Sequence, residues 1–349
     1  MQTLPAELLN LIVVFQPLFT KPTWENAKVL LLGAMLARGK RTVTACLRVV
    51  GLGDDEHFQN YLDRGNAWFA KGEWERAIAD FDLALATDPG SAGAWCNRGA
   101  ARSHKRDLDG ALADFNRAIQ LDPRNVQAWV NRGGIRHSKG DLDGAISDYT
   151  RAIELNPRLA EAWNNRGIVR MDKQDLVGAL ADFDRAIKLD SKLAGTYDNR
   201  GGARYLTGDF DGAVDDHTRA IKLKPDFAAA YGHRGVGHAK GDAAGALADY
   251  NRAIELDPAS AVAYLNRALV WRMRGDWARA IADYDRAIAL NPRFADAYCN
   301  RGLAQLRQGE EAAAERDFAR CLELDPELRA NVERLIKESK QRTAARSPR

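Results

Sequence analysis

At 349 residues, with 46% hydrophobic and 28% charged side chains, the chain is longer than one ordinary domain requires and has the balance of an amphipathic helical array. Its net charge of +3 hides an uneven distribution: residues 1–52 hold six basic and two acidic side chains, residues 329–349 seven and two, and the stretch between carries −6. Four cysteines (Cys46, Cys96, Cys299, Cys321) show no CxxC spacing, so neither a disulfide framework nor a zinc ribbon is expected, and a reducing compartment is the default.

Residues 1–57 open the chain as a short helical appendage, with helices expected at about Pro5–Phe15, Thr23–Ala37 and Thr42–Val50. Leu8–Phe19 is interrupted by Asn10, Gln16 and Pro17, and Val29–Ala37 is nine residues long. Neither reaches the ~20 apolar residues of a membrane span. The start has no basic stretch ahead of an apolar one, so a secretory signal is not expected. Gly51-Leu52-Gly53 turns the chain into its repeating region.

From residue 58 one pattern returns eight times: 58–91, 92–125, 126–159, 160–193, 194–227, 228–260, 261–294 and 295–328. Its opening aromatic recurs every 34 residues, with one step of 33. A period of this length means stacked helix pairs, each too small to bury its apolar face alone. In the copy AWVNRGGIRHSKGDLDGAISDYTRAIELNP, residues Trp129, Gly133 and Arg136 lie a turn apart along a first helix, helix A. Gly140-Asp141 breaks helix A and caps helix B. Ala145, Tyr149 and Ala152 mark one face of helix B, and Pro157 closes it. Gly133, Ala145 and Ala152 allow close approach, and Trp129 and Tyr149 fill the space between the helices.

Departures from the pattern are expected to show. Leu83 stands where later copies have Arg, and Arg106 and Gln174 replace the turn glycine. Copy four ends in Asp190-Ser191 without the proline, which predicts a looser corner. Copy six lacks one residue between Gly235 and Gly241, which predicts a shorter helix A or a tighter turn. Ala268 replaces the helix-A glycine, and His217 takes an aromatic core place. Cys321 occupies a core alanine place, as a small hydrophobe can. Asn331–Gln341 reads as a capping helix, placed within 329–342, with Val332, Leu335 and Ile336 on one face. The basic tail 343–349 is expected to be disordered.

Three polar columns share the period. Arg98, Arg132, Arg166 and Arg200 lie on helix A, with counterparts in every copy. Asp114, Asp148, Asp182 and Asp216 recur on helix B with the same count. A buried guanidinium needs an anion, so the two columns are expected to pair as an internal ladder. Just before each Arg stands Asn97, Asn131, Asn165, Asn199, His233, Asn266 or Asn300. Asparagine is a mediocre helix former, so its recurrence inside helix A asks for a reason. Its amide, both donor and acceptor, matches a peptide backbone. The alternative is that these residues bridge neighbouring repeats.

The W…G…A…Y…A…P pattern over about Phe58–Leu328 resembles the tetratricopeptide repeat family. That resemblance implies an all-α fold, a right-handed superhelical solenoid of eight helix-turn-helix repeats. It also implies that the asparagine column lines a concave groove and holds an extended peptide by its main chain. A lysine clamp for a C-terminal carboxylate is absent, since Cys96, Val130 and Asn164 occupy its places. The opening stretch, through Thr23-Trp24, Val29–Ala37, Gly39-Lys40-Arg41-Thr42-Val43 and His57-Phe58-Gln59-Asn60-Tyr61, resembles the N-terminus of DDE-superfamily insertion-sequence transposases. The catalytic carboxylates of that family fall in a part not present here, which implies a fused remnant without transposition chemistry.

The expected function is a protein–protein interaction scaffold binding an extended peptide segment of a partner, in the cytoplasm, with neither cofactor nor metal. His104 and His137 alone do not make a metal site. No phosphate-binding loop, HExxH or GxSxG is present, so no enzyme is expected. Nucleic acid is not the expected partner. The alternatives are a nucleic-acid-associated protein, with Thr42–Ala70 read as a helix-turn-helix, and a non-functional gene fusion.

Overall fold

The computed structural model describes residues 56–330, 332–334 and 336–337. The expected helices before residue 56, most of the transposase-like stretch, Leu335 and the basic tail lie outside them. Among the described residues every regular element is helical. Contacts divide the chain into two compact units, Met1–Val169 and Arg170–Arg349.

Unit 1 is built from α1 (Glu56–Ala70), α2 (Trp74–Thr87), α3 (Ala92–His104), α4 (Leu108–Leu121), α5 (Val126–Ser138), α6 (Leu142–Leu155) and the first turns of α7 (Ala160–Asp172). Unit 2 takes in the end of α7 and then α8 (Leu176–Leu189), α9 (Ala194–Thr207), α10 (Phe210–Leu223), α11 (Ala228–His238), α12 (Ala243–Leu256), α13 (Ala261–Met273), α14 (Trp277–Leu290), α15 (Ala295–Gln308) and α16 (Glu311–Leu324). Within each unit a hairpin packs on the next, and helix A of one repeat also touches helix A of its neighbour, as α1 with α3 and α9 with α11.

The hairpin follows from a few local rules. Gly140 has φ +81°, a left-handed conformation that ends helix A without a Cβ penalty. One residue on, the Asp141 side chain accepts the Gly144 N–H at 2.9 Å and starts helix B. Asp107, Asp175, Asp209, Asp242 and Asp276 cap their helices likewise. Packing is set by a glycine facing a ring: a Cβ on Gly133 would lie 3.0 Å from Tyr149, and on Gly99 2.8 Å from Phe115. Tyr149 is buried, while Trp129 stays partly exposed and stands across two neighbouring hydrophobic clusters. At the corner the Trp129 indole donates to the Pro123 carbonyl at 3.0 Å, which ties the start of helix A to the preceding turn.

The irregular copies behave individually. α11 is 11 residues long against 13 or 14 in the other helices A from α3 onward, so the missing residue is taken from the helix itself. The corner after α8 is not loosened. Asp190 accepts the Lys192 N–H at 2.9 Å, as Asn156 accepts that of Arg158 at 3.2 Å in a copy with the proline. The side-chain turn, rather than the proline ring, holds the corner. Leu83 is exposed, and Cys321 and His217 are buried. α1 is helix A of the first hairpin, with Gly65 against Phe81, so it is not free to act as a recognition helix. At the other end the described residues 329–330, 332–334 and 336–337 are helical, and Val332 and Ile336 pack with Cys299, Leu303, Phe318 and Cys321.

Arg106 and Gln174 keep the left-handed turn without glycine, at φ +63° and +64°. A side chain there costs about 1 kcal/mol. Arg106→Gly and Gln174→Gly are therefore expected each to raise stability by about 1 kcal/mol, less the chain entropy glycine adds. Urea melts of the two single variants check this, and a lower midpoint would refute it.

Candidate functional site

The arginine and aspartate columns meet inside hairpins of both units. In unit 1, Arg132 donates Nε to Asp148 Oδ2 at 2.8 Å and Nη2 to Oδ1 at 2.7 Å. Arg98 and Asp114 form the same fork at 2.9 and 2.7 Å, and Arg64 and Asp80 at 2.7 and 2.6 Å. In unit 2 the fork recurs at Arg200–Asp216, Arg234–Asp249, Arg267–Asp283 and Arg301–Asp317. Arg166, in unit 1, donates Nη1 to Thr150 at 3.0 Å, and Asp182, in unit 2, accepts from Arg170 at 2.9 Å.

The third guanidinium arm reaches back to the preceding hairpin. Arg132 Nη1 donates to Asn116 at 2.8 Å, Arg267 Nη1 to Asn251 at 2.7 Å and Arg301 Nη1 to Asp285 at 2.7 Å. One arginine thus closes its own hairpin and binds it to the one before. The opening aromatic flanks it: the Arg132 guanidinium lies 4.7 Å from the Trp129 ring centre. The hydrogen bonds it donates to Asp216 and Asp184 hold the Arg200 guanidinium more firmly protonated, and those to Asp317 and Asp285 do the same for Arg301.

A second cation column escaped the sequence reading. Arg136 Nη1 donates to Asp148 at 2.9 Å, Arg102 Nη1 to Asp114 at 3.0 Å, and Arg204 pairs with Asp216 at 2.9 Å. In copy six His238 takes that part, 2.9 Å from Asp249. These residues sit one turn after the first arginine at the same period. That signal was present, but a partly exposed arginine near a helix end reads as a solvated charge.

The asparagine column shows a different habit. Asn97 Nδ2 donates to Asn66 Oδ1 at 2.8 Å, and Asn131 Nδ2 approaches Cys96 Sγ at 3.9 Å, both one copy back. Asn131 Oδ1 accepts from Gln127 at 2.8 Å, and Asn165 Oδ1 from Asn164 at 3.1 Å. Asn300 Nδ2 donates to the Asp296 carbonyl at 2.8 Å within its own helix. Asn199 and Asn266 hold the same helix-A register on α9 and α13. In unit 1, Asn131 and Asn165 border a cavity of about 690 Å³ with His104, Val130, Tyr149 and Glu161. Its wall is formed chiefly by α3 and α5, with α4 and α7 contributing, and that volume falls within the range of a ligand-sized cleft. His104 is held against Trp74, ring centres 4.3 Å apart.

His233 departs furthest. Its Nδ1 lies 3.0 and 3.1 Å from the two oxygens of Asp198, and His217 Nδ1 lies 2.8 Å from Asp198 Oδ1. Burial pushes the Asp198 carboxyl up, but hydrogen bonds from the two imidazoles outweigh it and bring the group to about 2. The hydrogen bond to Asp198 raises His233. Asp198 was missed because its place varies from copy to copy and forms no column.

Tetratricopeptide repeat models match residues 92–125 and 295–328, a second such model matches 45–92, and a TPR repeat model matches 133–174, 236–271 and 272–309. The chain is built of tetratricopeptide repeats. The match from residue 45 begins inside the transposase-like stretch, ahead of the first complete hairpin. A tetratricopeptide repeat protein from Parabacteroides merdae superposes with a TM-score of 0.58 at 19% identity, covering 72% of this chain and all of its own. Pseudomonas aeruginosa pilF superposes at 0.54 and 19% identity, over 60% of this chain and 96% of its own. The Cut9–Hcn1 hetero-tetramer of the APC/C gives 0.61 at 15% identity, over 92% of this chain and 63% of the other. At these identities the likeness concerns the fold. No curated protein sequence matches the chain. No helix of the described residues is long and apolar enough to cross a membrane.

In this tetratricopeptide repeat chain the ladder is open to direct test. Asp148 is 1% exposed and holds two guanidinia. Asp148→Ala leaves both cations without their anion and is expected to cost about 3 kcal/mol. Chemical denaturation of the variant measures this, and an unchanged midpoint would sink the ladder.

Proposed function

We propose that the chain is a protein–protein interaction scaffold in which the unit 1 cavity holds an extended segment of a partner protein by its main chain. The observation that carries this reading is the pair of amides, Asn131 and Asn165, one repeat apart on the border of one cavity. Packed helices lie about 8–10 Å apart, and an extended chain advances about 3.3 Å per residue. One asparagine per repeat therefore falls opposite every third residue of an extended peptide.

The amides suit that task because each combines a donor with an acceptor. The intramolecular contacts of Asn131, to Gln127 and weakly to Cys96, fix the side chain in one rotamer. An amide held in this way loses little freedom when a ligand arrives. The exposed Glu161 and His104 set the polarity of the border for side chains between the anchored peptide groups.

Screening a library of unstructured peptides against the full chain supplies a ligand. Asn131→Ala and Asn165→Ala are each expected to weaken it about tenfold, the value of one hydrogen bond of about 1.4 kcal/mol. An ester replacing the contacted backbone amide is expected to lose a similar factor. Peptides that bind both variants as tightly as wild type would overturn main-chain capture at this cavity.

A further inference from the structure

We propose that Asp198, His217 and His233 form a binding site for a first-row divalent cation, Zn²⁺ being the best fit. The three residues come from different places in the repeat pattern. His217 stands where the seven other copies carry Phe or Tyr, and His233 stands in the asparagine column. Asp198 holds a place filled by Asn164 and Gly232 in the flanking copies. Two departures and one residue from a variable place converge on one point, and each supplies a metal ligand.

The geometry is close to a loaded site. The donor atoms lie within 4.8 Å of one another. Tetrahedral zinc with bonds of about 2.0–2.1 Å needs donors about 3.3 Å apart. The two nitrogen-to-oxygen edges, 2.8 and 3.0 Å, are already at that scale. Both lengthen slightly as the ion replaces the hydrogen bonds, and the freedom for that and for the nitrogen-to-nitrogen edge sits in His233, whose side chain is 55% exposed. Asp198 and His217 are buried and fixed by packing, with a Cβ on Gly201 only 2.7 Å from the His217 ring. Two anchored ligands and one movable ligand at the surface give a built pocket with an entry path.

Two imidazoles and a carboxylate are borderline donors that favour zinc or its first-row neighbours over calcium or magnesium. They leave a fourth position on the solvent side, for water or a side chain of a partner. Loading requires the Nδ1 lone pair of each imidazole to face the ion. Each ring then carries its proton on Nε2, and any imidazolium proton passes to solvent. The sequence expectation of no metal rested on the cysteine spacing and on His104 and His137, none of which is among these residues.

The test uses the full chain, free of any tag and stripped with a chelator. Zinc titration is expected to show one equivalent bound and a raised melting temperature. Co²⁺ is expected to give the visible d–d bands of a low-coordinate nitrogen and oxygen site. His217→Phe and His233→Asn restore the residues that other copies carry and should preserve the fold, read by circular dichroism. Each is expected to weaken zinc binding on the order of 100-fold and to abolish the Co²⁺ bands. A folded wild type with neither zinc response nor Co²⁺ bands would overturn the proposal. So would a His233→Asn variant that titrates like wild type, and this exposed change decides the matter if His217→Phe fails to fold.

Discussion

The hairpins depend on a carboxylate buried where water cannot serve it. Asp114, Asp148 and Asp216 are almost wholly excluded from solvent on helix B. An isolated ionised carboxylate in that position would cost far more than a hairpin can supply. Each is therefore held by a forked guanidinium from helix A, with a second guanidinium on its other side. The demand for that fork fixes the rotation of helix A against helix B, because two parallel N–H groups must meet two oxygens in one plane. The facing glycine and ring set the distance between the helices, and the ion pair sets their register. Hydrophobic contact alone would tolerate sliding by a turn, and the fork does not.

The same arginine explains how a short-range rule builds a long object. Its remaining arm crosses to helix B of the preceding copy, onto Asn116 or Asn251 in one place and Asp285 in another. The identity of that acceptor varies because the arm lies near the surface and needs only an oxygen. The buried acceptor never varies, because only a carboxylate neutralises the guanidinium at its core end. Variation in the sequence thus tracks solvent access, residue by residue.

Much of this was legible from the sequence because a repeat prints its constraints eight times. Gly140, Asp141, Gly133 and Tyr149 announce turn, cap and packing through the conformations and volumes they permit. Equal counts of arginine and aspartate pointed to pairing. What the sequence concealed is what a period cannot display. The backward reach of Asn97 and His233 joins residues 31 and 35 positions apart, a relation set by stacking rather than by any helix period. Asp198 stands at a place that varies from copy to copy, and it acquires meaning only when His217 and His233 are brought to it. The corner at Asp190 was misjudged because proline was credited with a turn that an aspartate side chain makes by itself.

These observations also indicate where such a fold can change without collapsing. The arginine column is committed on three sides, to its own aspartate, to the previous hairpin and to its flanking aromatic. A substitution there strands a buried charge. The adjacent asparagine column carries lighter duties, and Asn131 spends its donor on a thiol at 3.9 Å. Some of its members reach one copy back, as Asn97 does to Asn66 and His233 to Asp198, but its amides neutralise no buried charge, so a change at one of them costs less than one in the arginine column. Asn131 and Asn165 retain the amide that suits a peptide main chain. His233 exchanged it for an imidazole, and the exchange was viable because its neighbours supplied the matching change: Asp198 as counter-charge and His217 as a ring that fills an aromatic place while offering a nitrogen. A repeat scaffold can therefore vary the chemistry of this column copy by copy, while the ion pairs one residue away keep the hairpins in register.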